Sequence, residues 1–168
     1  AALKLLPLIF IPYYLVTGQR RPAVVATVTF GLGTALGFVL YPADSLVFWS
    51  HLGRTDPFGD PARADNLSIQ SALHRWLPEL SGTSAMWLGV AALVAGCALL
   101  RARMHDRRQE RFAGGLVVAA ASVVVSPISW AHYHVWLPLV GIWLVLGSGR
   151  PRQQLIGVGI YCLYLLPT

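Results

Sequence analysis

PAVVATVTFGLGTALGFVL, residues 22–40, carries no charged side chain. Its length is close to the roughly 20 residues a helix needs to cross the hydrocarbon core of a bilayer. Five other apolar stretches flank it, at 3–16, about 85–100, about 113–125, about 135–147 and 155–166. Several fall short of about 17 residues, which leaves room for a re-entrant segment among them. The whole chain agrees with this reading: of 168 residues, 55% are hydrophobic and 12% charged, and the mean hydropathy is +0.58. A soluble domain carries about twice that charged fraction. The composition excludes a disordered chain, a nucleic-acid-binding domain and a disulfide-stapled secreted domain. The expected fold is all-α, a multi-pass transmembrane helical bundle of about six spans, forming one membrane domain over residues 1–168.

The net charge of +6 takes its meaning from where the charges sit. If all six stretches span, alternate loops face opposite sides. One side then holds Arg20, Arg21, the five arginines between 101 and 111, Arg150 and Arg152, against Asp106 and Glu110, a balance of +7. The other side holds Lys4, Arg54, Arg63 and Arg75 against five acids, a balance of −1. Cytoplasmic loops are enriched in Lys and Arg, so Lys4 and the 41–84 loop are expected outside. Cys97 and Cys162 lie within apolar runs and read as small buried hydrophobes, not as a bridge or a metal site. The first residue is Ala, no charged segment precedes the first apolar run, and no polar tail follows the last. The chain therefore reads as part of a longer protein.

The 41–84 loop is longer than a plain connector and holds five of the seven acids, and loops of such length are often functional. Asp44 suits an N-cap for a short interfacial helix through Trp49. DPFGDP at 56–61 is turn chemistry. Asp65 or Asn66 suits the N-cap of a second helix that runs to Trp76-Leu77 and stops at Pro78. Its apolar residues predict an amphipathic interfacial helix. On it, Ser71 and Arg75 stand one turn apart, as do Asn66 and Gln70, so donors and a fixed charge can gather toward a phosphate or sugar. The plain alternative is a solvated polar face. Asn66-Leu67-Ser68 also fits the glycosylation triplet, a pattern short enough to arise by chance.

A second stretch, Ser126-Pro127-Ile128-Ser129-Trp130-Ala131-His132-Tyr133-His134, breaks the fourth span at its outer end. Broken backbone at that depth is tolerated where it lines a cavity or is buried in protein. His132 and His134, two residues apart, do not share a helix face, and no Cys or close acid completes a zinc set. They suit phosphate or sugar contact, or else an aromatic belt at the interface. Lys4, the only lysine, sits at the outer edge of the first stretch, where it either snorkels or pairs with an anionic headgroup.

On these residues the chain resembles the C-terminal half of the glycosyltransferase family 87 membrane proteins, the actinobacterial polyprenol-phosphate-mannose-dependent α-(1→2)-mannosyltransferases of the GT-C class. Lys4-Leu5-Leu6-Pro7 is similar to the family's K-L-x-P segment. Asn66-Leu67-Ser68-Ile69 with Arg75 resembles its N-Q-S-(L or I)-x5-R segment. Ser126-Pro127-Ile128-Ser129-Trp130-Ala131-His132 resembles S-P-(I or V)-S-W-x-H, the most specific of the three. Leu67, Ser71 and Tyr133-His134 depart from the family's usual residues.

The resemblance implies a GT-C-like fold in the plasma membrane, with its active face extracytoplasmic. It implies transfer of mannose from a polyprenyl-phosphate donor to a cell-envelope glycolipid or lipoglycan, with no metal and no cofactor. Lys4, Asn66, Ser68, Gln70, Arg75, His132 and His134 are the residues expected at the donor phosphate and sugar. The catalytic base implied by the family is an Asp in its first outward loop, expected upstream of residue 1. The alternatives are a lipid-linked sugar flippase, which would call for a midplane site and repeats that the sequence does not display, and a non-catalytic subunit of envelope assembly.

Overall fold

The computed structural model describes residues 6–51, 65–77, 84–130, 133, 135–147 and 149–165. They form an all-helical bundle. A short 3-10 turn, Leu6–Ile9, leads into α1 (Phe10–Val16), followed by α2 (Arg20–Leu40), α3 (Pro42–Ser50), α4 (Ile69–Trp76), α5 (Ser84–Arg107), α6 (Arg111–Val125), α7 (Trp136–Gly147) and α8 (Pro151–Leu165). Each of the six apolar stretches in the sequence becomes a helix. Among the described residues, two helices, Arg20–Leu40 and Met86–Arg107, are both long and apolar enough to cross a membrane.

The α1–α2 and α5–α6 turns use the same device. After α1, Gly18 is left-handed (φ 73); its N–H bonds Leu15 O at 3.1 Å and that of Gln19 bonds Tyr14 O at 2.7 Å. After α5, Gln109 takes the equivalent place (φ 62), with Gln109 N–H to Asp106 O at 2.9 Å and Glu110 N–H to His105 O at 2.9 Å. Both satisfy the last carbonyls of a helix in the Schellman manner. Glycine enters that conformation freely, whereas a side chain is strained there.

The interior is centred on α6, which buries Ala113, Gly114, Leu116, Val118, Ala119, Ala121, Ser122 and Val123. Tyr13 of α1 packs with Ala102 of α5 and Val118 of α6, with Phe10, Tyr14 and Leu99 around them. Small residues let the backbones close in, since lipid tails leave no hydrophobic drive between helices. A Cβ added at Gly114 would meet Ala102 O at 3.1 Å. Between α7 and α8 the approach is closer: a Cβ at Gly157 would meet Gly141 O at 2.6 Å and the Leu144 Cβ at 2.9 Å. By contrast α2 buries only Ala23 and displays Val24, Leu32, Leu36 and Val39, an apolar surface suited to lipid.

Two observations correct the sequence reading, at Asp44 and at the cysteines, and a third adds to it. Asp44 lies in the first turn of α3, but Tyr41 is the N-cap and Pro42 occupies the first helical position, where its missing N–H costs nothing. Helix α3 also turns back along α2: Ser45 neighbours Gly37 and the Trp49 ring meets Phe30 edge-on at 6.3 Å. Cys97 and Cys162 are free thiols on exposed faces, not buried ones; an apolar helix can carry them outward where the surroundings are apolar too.

The loops sort to two ends. Tyr13 Oη donates to Arg111 O at 3.3 Å, and His105 meets the Trp143 ring at 6.2 Å. These contacts draw the α1–α2, α5–α6 and α7–α8 turns, with their arginines, toward one end. Residues 66–77 and 126–130 meet at the other.

Gly157→Ala is expected to lower the stability of the protein in detergent by about 1–3 kcal/mol, the cost of overpacking against backbone. Gly159, with nothing within 4 Å of an added Cβ, should accept Ala neutrally or with a gain of up to about 1 kcal/mol. Gln109→Gly should raise stability by about 1 kcal/mol through relief of the left-handed strain. Thermal melting of the three variants beside wild type checks all of these.

Candidate functional site

The site is built where the segment before α4 meets the segment after α6. Residue 125 ends α6, and Ser126 leaves it in an extended conformation (φ −61, ψ 143). The chain then runs on to pair Trp130 with Asn66 in an antiparallel bridge, with Leu67 N–H bonded to Ser129 O at 2.8 Å.

Asn66 is the centre of this junction and is only 5% exposed. Its Oδ1 accepts from Ser129 N–H at 2.9 Å and from Ser68 N–H at 3.3 Å, the latter an Asx turn. Its Nδ2 donates to Pro127 O at 3.4 Å. Ser68 Oγ donates to the same carbonyl at 3.0 Å and accepts from Ser71 N–H at 3.1 Å. Ser68 is therefore the N-cap of α4, not Asp65 or Asn66; Asn66 instead spends its side chain on the neighbouring segment. Ser68, Ser71 and Ser129 are fully buried, and Gln70 is buried beside them.

Helix α4 is amphipathic as expected, and its orientation is informative. The polar residues Ser68, Gln70 and Ser71 face inward, while Leu67, Trp76 and Leu77 are exposed, Trp76 by 78%. Ile69, Ala72 and Leu73 lie half-buried between these two sets, and the exposed Trp76 suits a membrane interface. At its C-terminal turn, Arg75 folds back one turn: Nη1 donates to Ser71 Oγ at 2.7 Å and to Asn66 O at 3.1 Å. The predicted Ser71–Arg75 pairing is thus made. The guanidinium is held as a fixed cation at the edge of the junction, on an exposed residue.

Of the residues singled out in the sequence, Asn66, Ser68, Gln70 and Arg75 come together here, against the backbone of 127–130. Lys4, His132 and His134 lie outside the described residues, as does 52–64 with its DPFGDP turn. Among the described residues, no three His, Cys, Asp or Glu side chains gather into a metal set. Burial of Asn66 leaves no room for a glycan on it. Sequence reasoning missed Ser129, whose backbone N–H and C=O both bond the 66–67 segment; its signal was a serine in a proline-broken extended run, next to a motif that was already suspect.

The sequence model of glycosyltransferase family 87 matches residues 1–127 of this chain. The chain belongs to glycosyltransferase family 87. It is 36% identical over 156 residues to the polyprenol-phosphate-mannose-dependent alpha-(1-2)-phosphatidylinositol mannoside mannosyltransferase of Mycobacterium tuberculosis, an alignment covering 92% of this chain and 36% of that protein. It is 32% identical over 171 residues to the polyprenol-phosphate-mannose-dependent alpha-(1-2)-phosphatidylinositol pentamannoside mannosyltransferase of Mycolicibacterium smegmatis, covering 99% of this chain and 41% of that protein. The chain thus spans about two fifths of the length of these relatives, or somewhat less. No solved structure matches it at a significant level. Family and apolar helices together make this a membrane protein.

Ser68→Ala removes the α4 cap and leaves Pro127 O with less than its present bonding. The expected loss is about 1–2 kcal/mol. Hydrogen exchange should show it as faster exchange of the Ser71 amide, with the α5 and α6 amides unchanged.

Proposed function

We propose that this chain is part of a membrane glycosyltransferase that moves mannose from a polyprenyl-phosphate donor to a phosphatidylinositol-mannoside or related glycolipid acceptor. The observation that carries this reading is family membership combined with the geometry at residues 66–75. There a buried polar junction presents one immobilised guanidinium beside a lipid-facing apolar edge. A polyprenyl-phosphate sugar has the matching form, with its tail in the bilayer and its phosphate at the surface.

All six apolar stretches are read as spans, with the arginine-bearing turns cytoplasmic and the 66–130 junction on the outer face. The charge balance of +7 against −1 supports that orientation. On the outer face cations are few. Arg75, with Lys4 and His132, is assigned to the donor phosphate, where positive charge and donors stabilise the charge that develops on the leaving group. A guanidinium suits this because its planar fork donates two parallel hydrogen bonds to phosphate oxygens. Gln70 and His134 are assigned to the sugar. Asn66 and Ser68 hold the junction. The acceptor hydroxyl needs a base, which the family resemblance assigns to an Asp in the portion of the relatives that this chain does not span.

The test is mannose transfer by the full-length protein in membranes. Arg75→Ala and His132→Ala should each lower turnover by about a hundredfold to a thousandfold, the range seen when an electrostatic stabiliser of a transition state is removed. Arg75→Lys should recover part of the loss, because it keeps the charge without the fork. Transfer unchanged in both alanine variants overturns the assignment of these residues.

A further inference from the structure

The junction carries a more specific role for Asn66. Its side chain contacts two backbone N–H groups and one carbonyl in different segments, and its own carbonyl receives Arg75 Nη1 at 3.1 Å. Asn66 therefore touches both halves of the outer site. Through Oδ1 it fixes Ser129 N–H at 2.9 Å, just ahead of the 131–134 stretch that carries the two histidines. Through its main chain it fixes the guanidinium. At 5% exposure it is packed into the protein, with its acceptor atom directed at backbone and not outward.

We infer that Asn66 is a positioning residue: it clasps the 127–130 segment to the start of α4, and so fixes Arg75 at the edge of the junction. The inference rests on the reading of Arg75 as the donor-phosphate cation. Chemically, the clasp depends chiefly on the acceptor Oδ1, which takes two backbone N–H groups, while the Nδ2 bond to Pro127 O is its longest arm at 3.4 Å. Direct contact with a donor phosphate would depend instead on the amide N–H donors, because phosphate oxygens only accept.

That difference decides the experiment. In full-length protein, mannose transfer is measured with varied donor for Asn66→Asp, Asn66→Ala, Arg75→Ala and the Asn66→Ala/Arg75→Ala double variant. A carboxylate at 66 keeps the oxygen that accepts from Ser129 and Ser68. Asn66→Asp loses the Nδ2 bond to Pro127 O and buries a charge, so it should turn over more slowly than wild type but faster than Asn66→Ala. Asn66→Ala should lose tenfold or more in kcat, with the donor KM within about threefold of wild type. The double variant should be little worse than Arg75→Ala alone, since residues that act through one another are not additive.

If Asn66→Asp is the worst variant, with a raised donor KM, the residue contacts the phosphate and the inference is overturned. Wild-type kinetics for Asn66→Ala, or full additivity in the double variant, overturns it too. Should Asn66→Ala fail to accumulate as a monodisperse protein, Asn66→Ser, which is too short to span both segments, takes its place under the same criteria. An unimpaired Arg75→Ala refutes the donor-phosphate reading itself, and the Asp-against-Ala comparison at 66 still reports whether the clasp governs turnover.

Discussion

A buried amide that must find partners shapes one end of this bundle. Asn66 is taken out of water and left with one strong acceptor and two donors to satisfy. Leaving a buried polar group unmade costs about 1–3 kcal/mol, so the surrounding backbone is organised to meet it. The extended run after α6 supplies Ser129 N–H and Pro127 O, at 2.9 Å and 3.4 Å. Pro127 has no N–H of its own to satisfy, and it stops α6 from continuing. The break that weakens α6 as a helix is thus what frees backbone groups for the amide, and each segment is ordered by the other.

The same economy explains why polar residues are inside and apolar ones outside. In water an amphipathic helix packs its apolar stripe against the core. Here α4 turns Ser68, Gln70 and Ser71 inward and leaves Leu67 and Trp76 exposed. Ile69 and Leu73 stay half-buried, and the apolar side chains left exposed at the two ends of α4 suit lipid, where polar groups must be satisfied within the protein. Helix α2, exposed along nearly its whole apolar length, follows the same rule. Gly141 and Gly157 show the third consequence: with no hydrophobic drive between helices, contact comes from backbones brought close enough for dispersion to count.

Much of this was legible in the residues. Apolar run length located the long helices, because a stretch poor in charge satisfies its backbone as a helix where its surroundings are apolar. The spacing of Ser71 and Arg75 gave their pairing, because one helical turn is a local property. The N-caps at Asp44 and at Asp65 or Asn66 were misassigned because caps depend on where the preceding chain comes from. Tyr41-Pro42 breaks α2 and starts α3 before Asp44 can cap it, and Asn66 is diverted to a segment more than 60 residues away in sequence. Nor could sequence reveal that α3 folds back so that Trp49 reaches Phe30; an apolar, weakly patterned segment gives no sign of which neighbour it will choose. The two cysteines read as buried because that rule is calibrated on water-facing surfaces, and it fails where the surface is apolar.

A fixed cation is more useful to a lipid-phosphate enzyme than a mobile one. A lysine on a free stem must lose rotamer freedom, worth up to about 2 kcal/mol, each time it engages a phosphate. Arg75 has already lost it: Ser71 and the Asn66 carbonyl hold one nitrogen of the guanidinium, at 2.7 Å and 3.1 Å. The ordering cost is met when the protein folds, and on the proposed reading the cation is in place before a donor phosphate arrives. Such preorganisation lets a charge act on the transition state without reorganising during the reaction. It also locates the sensitivity of the site. The residues that hold the cation are buried and polar, and Asn66 among them is tied to the 127–129 backbone more than 60 residues away, so damage at position 66 reaches Arg75 as well.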